Sequence, residues 1–223
     1  MPAVCPGPQD PKRPEPRSDC RRSTARRVAG GRDGYPGAVP PQQGEELIDA
    51  LKRVAAVLRD NKIDFALGGG LAAWALGGPP TEHDVDLAIR AADVDAALRA
   101  LEEEGLPTEQ PPEGWLVKTW FDGVLVDLIF RPSGLVVDEA FLQACPEMSV
   151  AAVTMRVMPA SDILRTKLLA LSEHNLDLEP LLAYSRALRE QVDWCELATA
   201  VADSPFARAF LYLADALAIS RSQ

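Results

Sequence analysis

Residues 68–89 read GGGLAAWALGGPPTEHDVDLAI. The apolar run at residues 63–67 leads into three glycines, so the sequence predicts a short strand that ends in glycine and is followed by a short helix. Glycine allows a ligand to approach the backbone closely, and the free N–H groups at a helix start attract an anion. The first half of this stretch therefore predicts a site for an anion such as a phosphate.

The second half of the stretch alternates between acidic and apolar residues, as a half-buried strand does. Side chains at positions i and i+2 of a strand point to the same face, so Asp84 and Asp86 project together with Cα atoms about 7 Å apart. Two carboxylates held this close repel each other, and a divalent cation with a preference for oxygen ligands relieves that repulsion. The pair therefore predicts a metal site.

A second acidic position lies in the apolar run VLVDLIF, at residues 124–130. Asp122 and Gly123 precede it and favour a two-residue turn between β-rich runs, which predicts a hairpin. A charge in such an apolar strand, here Asp127, is costly unless something pairs with it. If the hairpin lies beside the first acidic strand, Asp127 completes a cluster of three carboxylates. Such a cluster opposite an anion site suits phosphoryl or nucleotidyl transfer.

Charge is distributed unevenly along the chain. Residues 1–44 carry a net charge of +4 and residues 45–223 carry −14, which together give the −10 of the whole chain. An acidic body argues against a large nucleic-acid groove, because phosphates need cationic partners. No apolar run reaches the length of a membrane span, and the amino terminus has no apolar h-region. We therefore expect a cytoplasmic protein without a membrane partner.

Composition divides the chain into three parts. Residues 1–43 are rich in Pro, Gly and Arg and lack apolar periodicity, which predicts a disordered tail. Residues 44–158 alternate between predicted helices and strands and contain the acidic and glycine motifs, so we predict a catalytic domain. Residues 159–223 show helical periodicity at 161–173, about 177–190, 193–202 and 205–218, which predicts a helical domain.

The glycines do not fit a dinucleotide-binding fingerprint or a P-loop. Together with VLVDLIF, the stretch LGGGLAAWALGGPPTEHDVDLAI resembles the nucleotidyltransferase superfamily, which has the polymerase-β-like fold, over residues 63–130. The resemblance implies an α+β fold in which helices flank a mixed sheet and a C-terminal helical bundle follows. It also implies a nucleoside triphosphate as substrate and two Mg²⁺ ions, with Mn²⁺ as an alternative, as cofactors.

The same resemblance assigns roles to individual residues. Gly69 and Gly70 are expected to bind the triphosphate, and Asp84 and Asp86 to hold the metal ions. Asp127 is the remaining metal ligand or the base that activates the acceptor hydroxyl. Many members of the superfamily have a serine where this chain has Gly70, so a side-chain contact to phosphate is missing here.

Two branches of the superfamily are the most similar, the AbiEii-type toxins and the aminoglycoside nucleotidyltransferases. The AbiEii-type enzymes carry a lysine after the strands, and Lys167 matches it as a candidate ligand of the triphosphate. Our main interpretation is an AbiEii-type enzyme that transfers a nucleoside monophosphate to a hydroxyl of RNA, tRNA or protein, with a possible cognate antitoxin. The alternatives are an enzyme that modifies a small antibiotic and a non-catalytic nucleotide-binding partner in a toxin–antitoxin complex.

Overall fold

The computed structural model describes residues 41–81 and 84–220, with side chains from residue 44 onwards. Every described residue belongs to one compact unit, which lies within Gly37–Gln223. We predicted a disordered tail at residues 1–43. Residues 1–40 of this tail lie outside the described residues, and residues 41–43 belong to the first helix.

The centre of the fold is one mixed sheet of seven strands. In sequence order these are β1 (Phe65–Leu67), β2 (Val85–Ile89), β3 (Thr108–Glu109), β4 (Leu116–Phe121), β5 (Val124–Ile129), β6 (Glu147–Val150) and β7 (Val153–Val157). Their spatial order is β3-β4-β5-β2-β1-β7-β6. Strand β2 runs parallel to β5 and antiparallel to β1. This order puts the two acidic strands side by side in the middle of the sheet.

Eight α-helices accompany the sheet in the described part of the chain. They are α1 (Pro41–Asp60), α2 (Gly69–Ala75), α3 (Val94–Glu103), α4 (Glu139–Ala144), α5 (Ala160–Leu169), α6 (Glu179–Leu188), α7 (Trp194–Ala200) and α8 (Pro205–Ala216). Ser204 caps α8 by accepting a hydrogen bond of 3.2 Å from the backbone N–H of Ala207. A serine cap followed by proline is a strong helix start, which explains why the sequence predicted this boundary.

The predicted α+β fold with a mixed sheet and a helical C-terminal part is confirmed. The short strands β3 and β6 and the helix α4 were not predicted, because each is too brief to produce a clear period in the sequence. The predicted division into a catalytic and a helical domain at residue 158 stays a prediction. In the described part of the chain, no helix has both the length and the apolar character needed to cross a membrane.

The apolar residues of β2 and β5 explain why these strands form the centre of the sheet. Val85, Leu87, Val126 and Leu128 are fully buried, and they alternate with the acidic positions along each strand. Successive side chains of a strand point to opposite faces of the sheet. When the apolar residues are buried on one face, the acidic residues between them therefore lie on the other face. The apolar alternation therefore fixes the direction in which the carboxylates point.

Candidate active site

Three aspartates meet on one face of the central strands. Asp86 of β2 lies directly opposite Asp127 of β5 in the parallel register, and Asp84 comes immediately before β2. One carboxylate oxygen from each residue lies within 4.8 Å of the others. The structure thus brings together the three acids that the sequence singled out, and it does so because β5 pairs with β2.

Burial and the repulsion of neighbouring carboxylates make Asp86 and Asp127 hard to ionise. The pKa of Asp86 is raised from 3.8 to about 7, first by burial and then by the charge of Asp84, whereas Lys167 lowers it. The pKa of Asp127 is raised by burial, and the charge of Lys118 opposes that shift. Clustered carboxylates with raised pKa values are typical of sites that need a cation to hold all of the charges.

The donor set fits a divalent metal ion such as Mg²⁺. Carboxylate oxygens are the ligands that this hard cation prefers. The Oδ1 atom of Asp127 is buried and accepts no hydrogen bond, and an unpartnered buried oxygen is costly. Coordination of a cation by Asp84, Asp86 and Asp127 would satisfy this oxygen and relieve the repulsion.

Lys118 adds a cation to the cluster that the sequence reasoning missed. It lies on β4 opposite Asp127 in the antiparallel register, and its Nζ atom is 3.9 Å from Oδ1 of that aspartate. The charge of Asp127 in its apolar strand is therefore paired in part within the protein, by an ion pair that lacks a hydrogen bond. Counting back from the predicted turn at residues 122 and 123 would have placed Lys118 opposite Asp127.

Gly69 and Gly70 form the start of α2, next to β2. Gly69 has a φ of +56°, and a Cβ atom there would overlap the Oδ2 atom of Asp86. A Cβ atom at Gly70 would overlap the hydroxyl of Thr81 and would lie 2.8 Å from its Cβ. Thr81 is buried, so it occupies the space in which a serine at position 70 would place its side chain. The glycines are therefore required by the close packing of this turn against the residues on either side.

Lys167 shares a cavity of about 500 Å³ with Gly68, Gly69 and Asp86. The side chain extends from the last turn of α5, and its charge lowers the pKa of Asp86. A drug-sized ligand requires a cavity of this order. The structure therefore places the predicted lysine beside the glycine turn and one of the three acids.

Three residues in or beside the cavity were not predicted from the sequence. Trp115 and Arg131 line the cavity, and the centre of the Tyr184 ring lies 5.2 Å from the Nζ atom of Lys167. Tyr184 is buried on α6, and burial, followed by the charges of Asp86 and Asp84, raises its pKa. No sequence signal distinguishes Tyr184, because its spacing with the leucines of α6 also fits an ordinary core position.

Comparison with known proteins extends these observations. Residues 50–130 match the model of the aminoglycoside-2''-adenylyltransferase family. The solution structure of the antibiotic-resistance factor ANT(2'')-Ia is 18% identical, with a TM-score of 0.51 over 75% of this chain and 92% of that chain. No curated protein sequence matches the chain.

Two crystal structures of antibiotic-modifying enzymes give lower scores. ANT(2'')-Ia in complex with adenylyl-2''-tobramycin is 14% identical, with a TM-score of 0.47 over 75% of this chain and 96% of that chain. The lincosamide antibiotic adenylyltransferase LnuA, bound to lincomycin, is 13% identical, with a TM-score of 0.46 over 66% of this chain and 94% of that chain.

At 18% identity, similarity to the solution structure establishes the fold alone. The family model matches the part of the chain that contains all three acids. The match favours the alternative of a small-molecule enzyme over our main AbiEii-type interpretation, for which the comparisons give no support, and they give none for an antitoxin. The resemblance to the nucleotidyltransferase superfamily, and within it to the aminoglycoside enzymes, is therefore confirmed.

Proposed function

We propose that the protein is a metal-dependent nucleotidyltransferase that modifies a small, positively charged antibiotic. It transfers a nucleoside monophosphate from a nucleoside triphosphate to a hydroxyl group of the acceptor and releases pyrophosphate. The observation that carries this proposal is the cluster of Asp84, Asp86 and Asp127, whose carboxylate oxygens lie within 4.8 Å of one another. The cavity that adjoins Asp86 also contains the glycine turn and Lys167.

Each site residue has a proposed role that follows from its position. Asp84 and Asp86 hold two Mg²⁺ ions, for which Mn²⁺ is an alternative, and Asp127 is a third ligand or accepts the proton of the acceptor hydroxyl. When bound, the metal neutralises the charge of the triphosphate and makes the hydroxyl more acidic. Because three adjacent carboxylates would repel the triphosphate, the cluster without a bound cation is unsuited to this substrate.

The nucleotide-binding role falls to Gly69, Gly70 and Lys167. Gly69 has no side chain, so its backbone lies close to Asp86 and lines the cavity in which a phosphate would bind. Lys167, which lines the same cavity, supplies a positive charge there, as phosphate-binding lysines do. The missing serine hydroxyl at position 70 is compensated by backbone N–H groups.

A cationic acceptor is supported by charge and by the family match. The net charge of −14 in residues 45–223 attracts amines and repels the phosphates of RNA. The family model that matches residues 50–130 is that of enzymes named for adenylation of aminoglycosides. Aminoglycosides are therefore the first class of acceptor to test.

The decisive experiment supplies each α-labelled nucleoside triphosphate and Mg²⁺ together with three separate acceptors, namely an aminoglycoside set, a tRNA pool and a protein pool. We expect label on an aminoglycoside and stoichiometric release of pyrophosphate. Asp86→Asn is the inactive control, and Asp60→Asn, which removes a carboxylate exposed at the end of α1, is the matched active control. Label on tRNA or protein alone would contradict the proposed acceptor, and absence of turnover with every acceptor would favour a non-catalytic nucleotide-binding role.

A further inference from the structure

Lys118 is held beside the carboxylate cluster by the register of the sheet. It faces Asp127 directly across the antiparallel pair of β4 and β5, so both side chains lie on the same face. The hairpin that joins these strands turns at Asp122 and Gly123, which have φ values of +48° and +83°. Positive φ at both turn residues is typical of the tight turn that fixes strand register. The position of Lys118 is thus a property of the fold.

The ion pair between Lys118 and Asp127 is incomplete. The Nζ–Oδ1 distance of 3.9 Å exceeds the 2.7–3.2 Å range of a hydrogen bond, and Oδ1 has no other partner among the described residues. The side chain of Lys118 is 29% exposed, compared with 11% for Asp127. The ammonium group can therefore move into solvent on its flexible stem, whereas the carboxylate cannot.

We propose that Lys118 is a resident counter-ion of the carboxylate cluster, whose ammonium group stays beside Asp127 until a divalent metal ion displaces it. The inference rests on the proposed function in one respect, namely that the cluster binds such an ion. Without metal, Lys118 offsets part of the negative charge that Asp84, Asp86 and Asp127 share. The opposing effect of Lys118 on the raised pKa of Asp127 agrees with this role.

Displacement makes Lys118 a determinant of metal affinity. A metal ion that enters the cluster meets the repulsion of the ammonium group and has to break the ion pair with Asp127. Removal of the lysine therefore strengthens metal binding and at the same time leaves the metal-free cluster with more repulsion. These opposite effects distinguish a counter-ion from a lysine that only helps the strand to pack, because loss of packing would not tighten metal binding.

The test is a titration of the full chain with Mn²⁺, monitored by electron paramagnetic resonance, for the wild type and Lys118→Met. We expect an about tenfold lower dissociation constant in the variant, since a unit charge within a few ångström of the ion is removed. We also expect a lower Tm than the wild type in EDTA and a larger rise of Tm on addition of Mn²⁺. Lys52→Met, in which an exposed lysine of α1 is replaced, is the matched control and should bind Mn²⁺ as the wild type does.

Two further variants keep the outcome interpretable. Lys118→Gln removes the charge but can still donate a hydrogen bond to Asp127, so it provides the same comparison if Lys118→Met does not fold. Lys118→Arg keeps the charge and should bind Mn²⁺ with nearly the wild-type affinity. Unchanged or weaker Mn²⁺ binding in the uncharged variants would overturn the counter-ion role alone. Failure of the wild type to bind Mn²⁺ would overturn both this role and the proposed metal dependence.

Discussion

The three acids of the site and Lys167 differ in sign of charge and in how they are held. Asp86 and Asp127 lie on paired strands at a separation set by strand register, and Asp84 comes immediately before β2. The helices supply Lys167, on a long stem from α5, and Tyr184 beside it on α6. A hydrogen-bonded ladder fixes the acids, whereas the lysine reaches the site through rotatable bonds. Under the proposed function, the sheet carries the chemical step and the helices adjust substrate binding.

Replacement of a sheet carboxylate is expected to have the largest effect. Asp86→Asn should lower the rate of nucleotide turnover by about a thousandfold or more, because a proposed metal ligand is lost. The Tm in EDTA should stay the same or rise, since the variant removes a charge that burial and Asp84 make unfavourable. Pyrophosphate release and differential scanning fluorimetry measure the two quantities.

The change of Tm on addition of Mg²⁺ tests whether the carboxylate of Asp86 helps to bind a cation. The wild type should gain thermal stability with Mg²⁺, since a ligand that binds the folded state stabilises it, and Asp86→Asn should gain much less. Near-wild-type turnover in Asp86→Asn would contradict the assignment of the cluster. A large fall of the Tm in EDTA would instead show that the carboxylate is needed for the fold.

Gly69→Ala examines the contact between the start of α2 and the sheet. The added Cβ would overlap the Asp86 carboxylate, and displacement of a catalytic group by about 1 Å costs about a hundredfold in rate. Gly77→Ala is the matched control, because Gly77 also has a positive φ, +97°, but its Cβ would meet no atom within 4 Å. Both variants should lose roughly 1–3 kcal/mol of unfolding free energy from backbone strain. Only Gly69→Ala should lose turnover, and equal activity in the two variants would contradict the role of this contact.

Lys167→Met is expected to have the smallest effect of the three. Loss of one charge contact to the triphosphate should raise the KM for the nucleotide by about tenfold, which corresponds to ~1.4 kcal/mol. The rate at saturation should change less, since the carboxylates remain in place. Steady-state kinetics with varied triphosphate measure both parameters, and an unchanged KM would contradict a contact between Lys167 and the nucleotide.

Much of the site was predictable because its motifs are local. The glycine turn, the pair Asp84 and Asp86, and the hairpin around Gly123 lie in short segments whose periods reveal strand or helix. Lys118 was also within reach of prediction, since the turn at residues 122 and 123 fixes its partner in the hairpin. Tyr184 was not predictable, because a buried tyrosine in a helix has the same pattern wherever the helix packs.

The sequence by itself determined which residues carry charge, which of them lie in strands, and where the chain turns, since backbone preferences and apolar periods act over a few residues. Only the tertiary structure decided that β5 pairs with β2, so that Asp127 joins the other acids, and that α5 brings Lys167 to the glycine turn. Such pairings depend on the packing of residues far apart in the chain. The free energy of that packing comes from burial of the whole apolar core, which no single segment encodes.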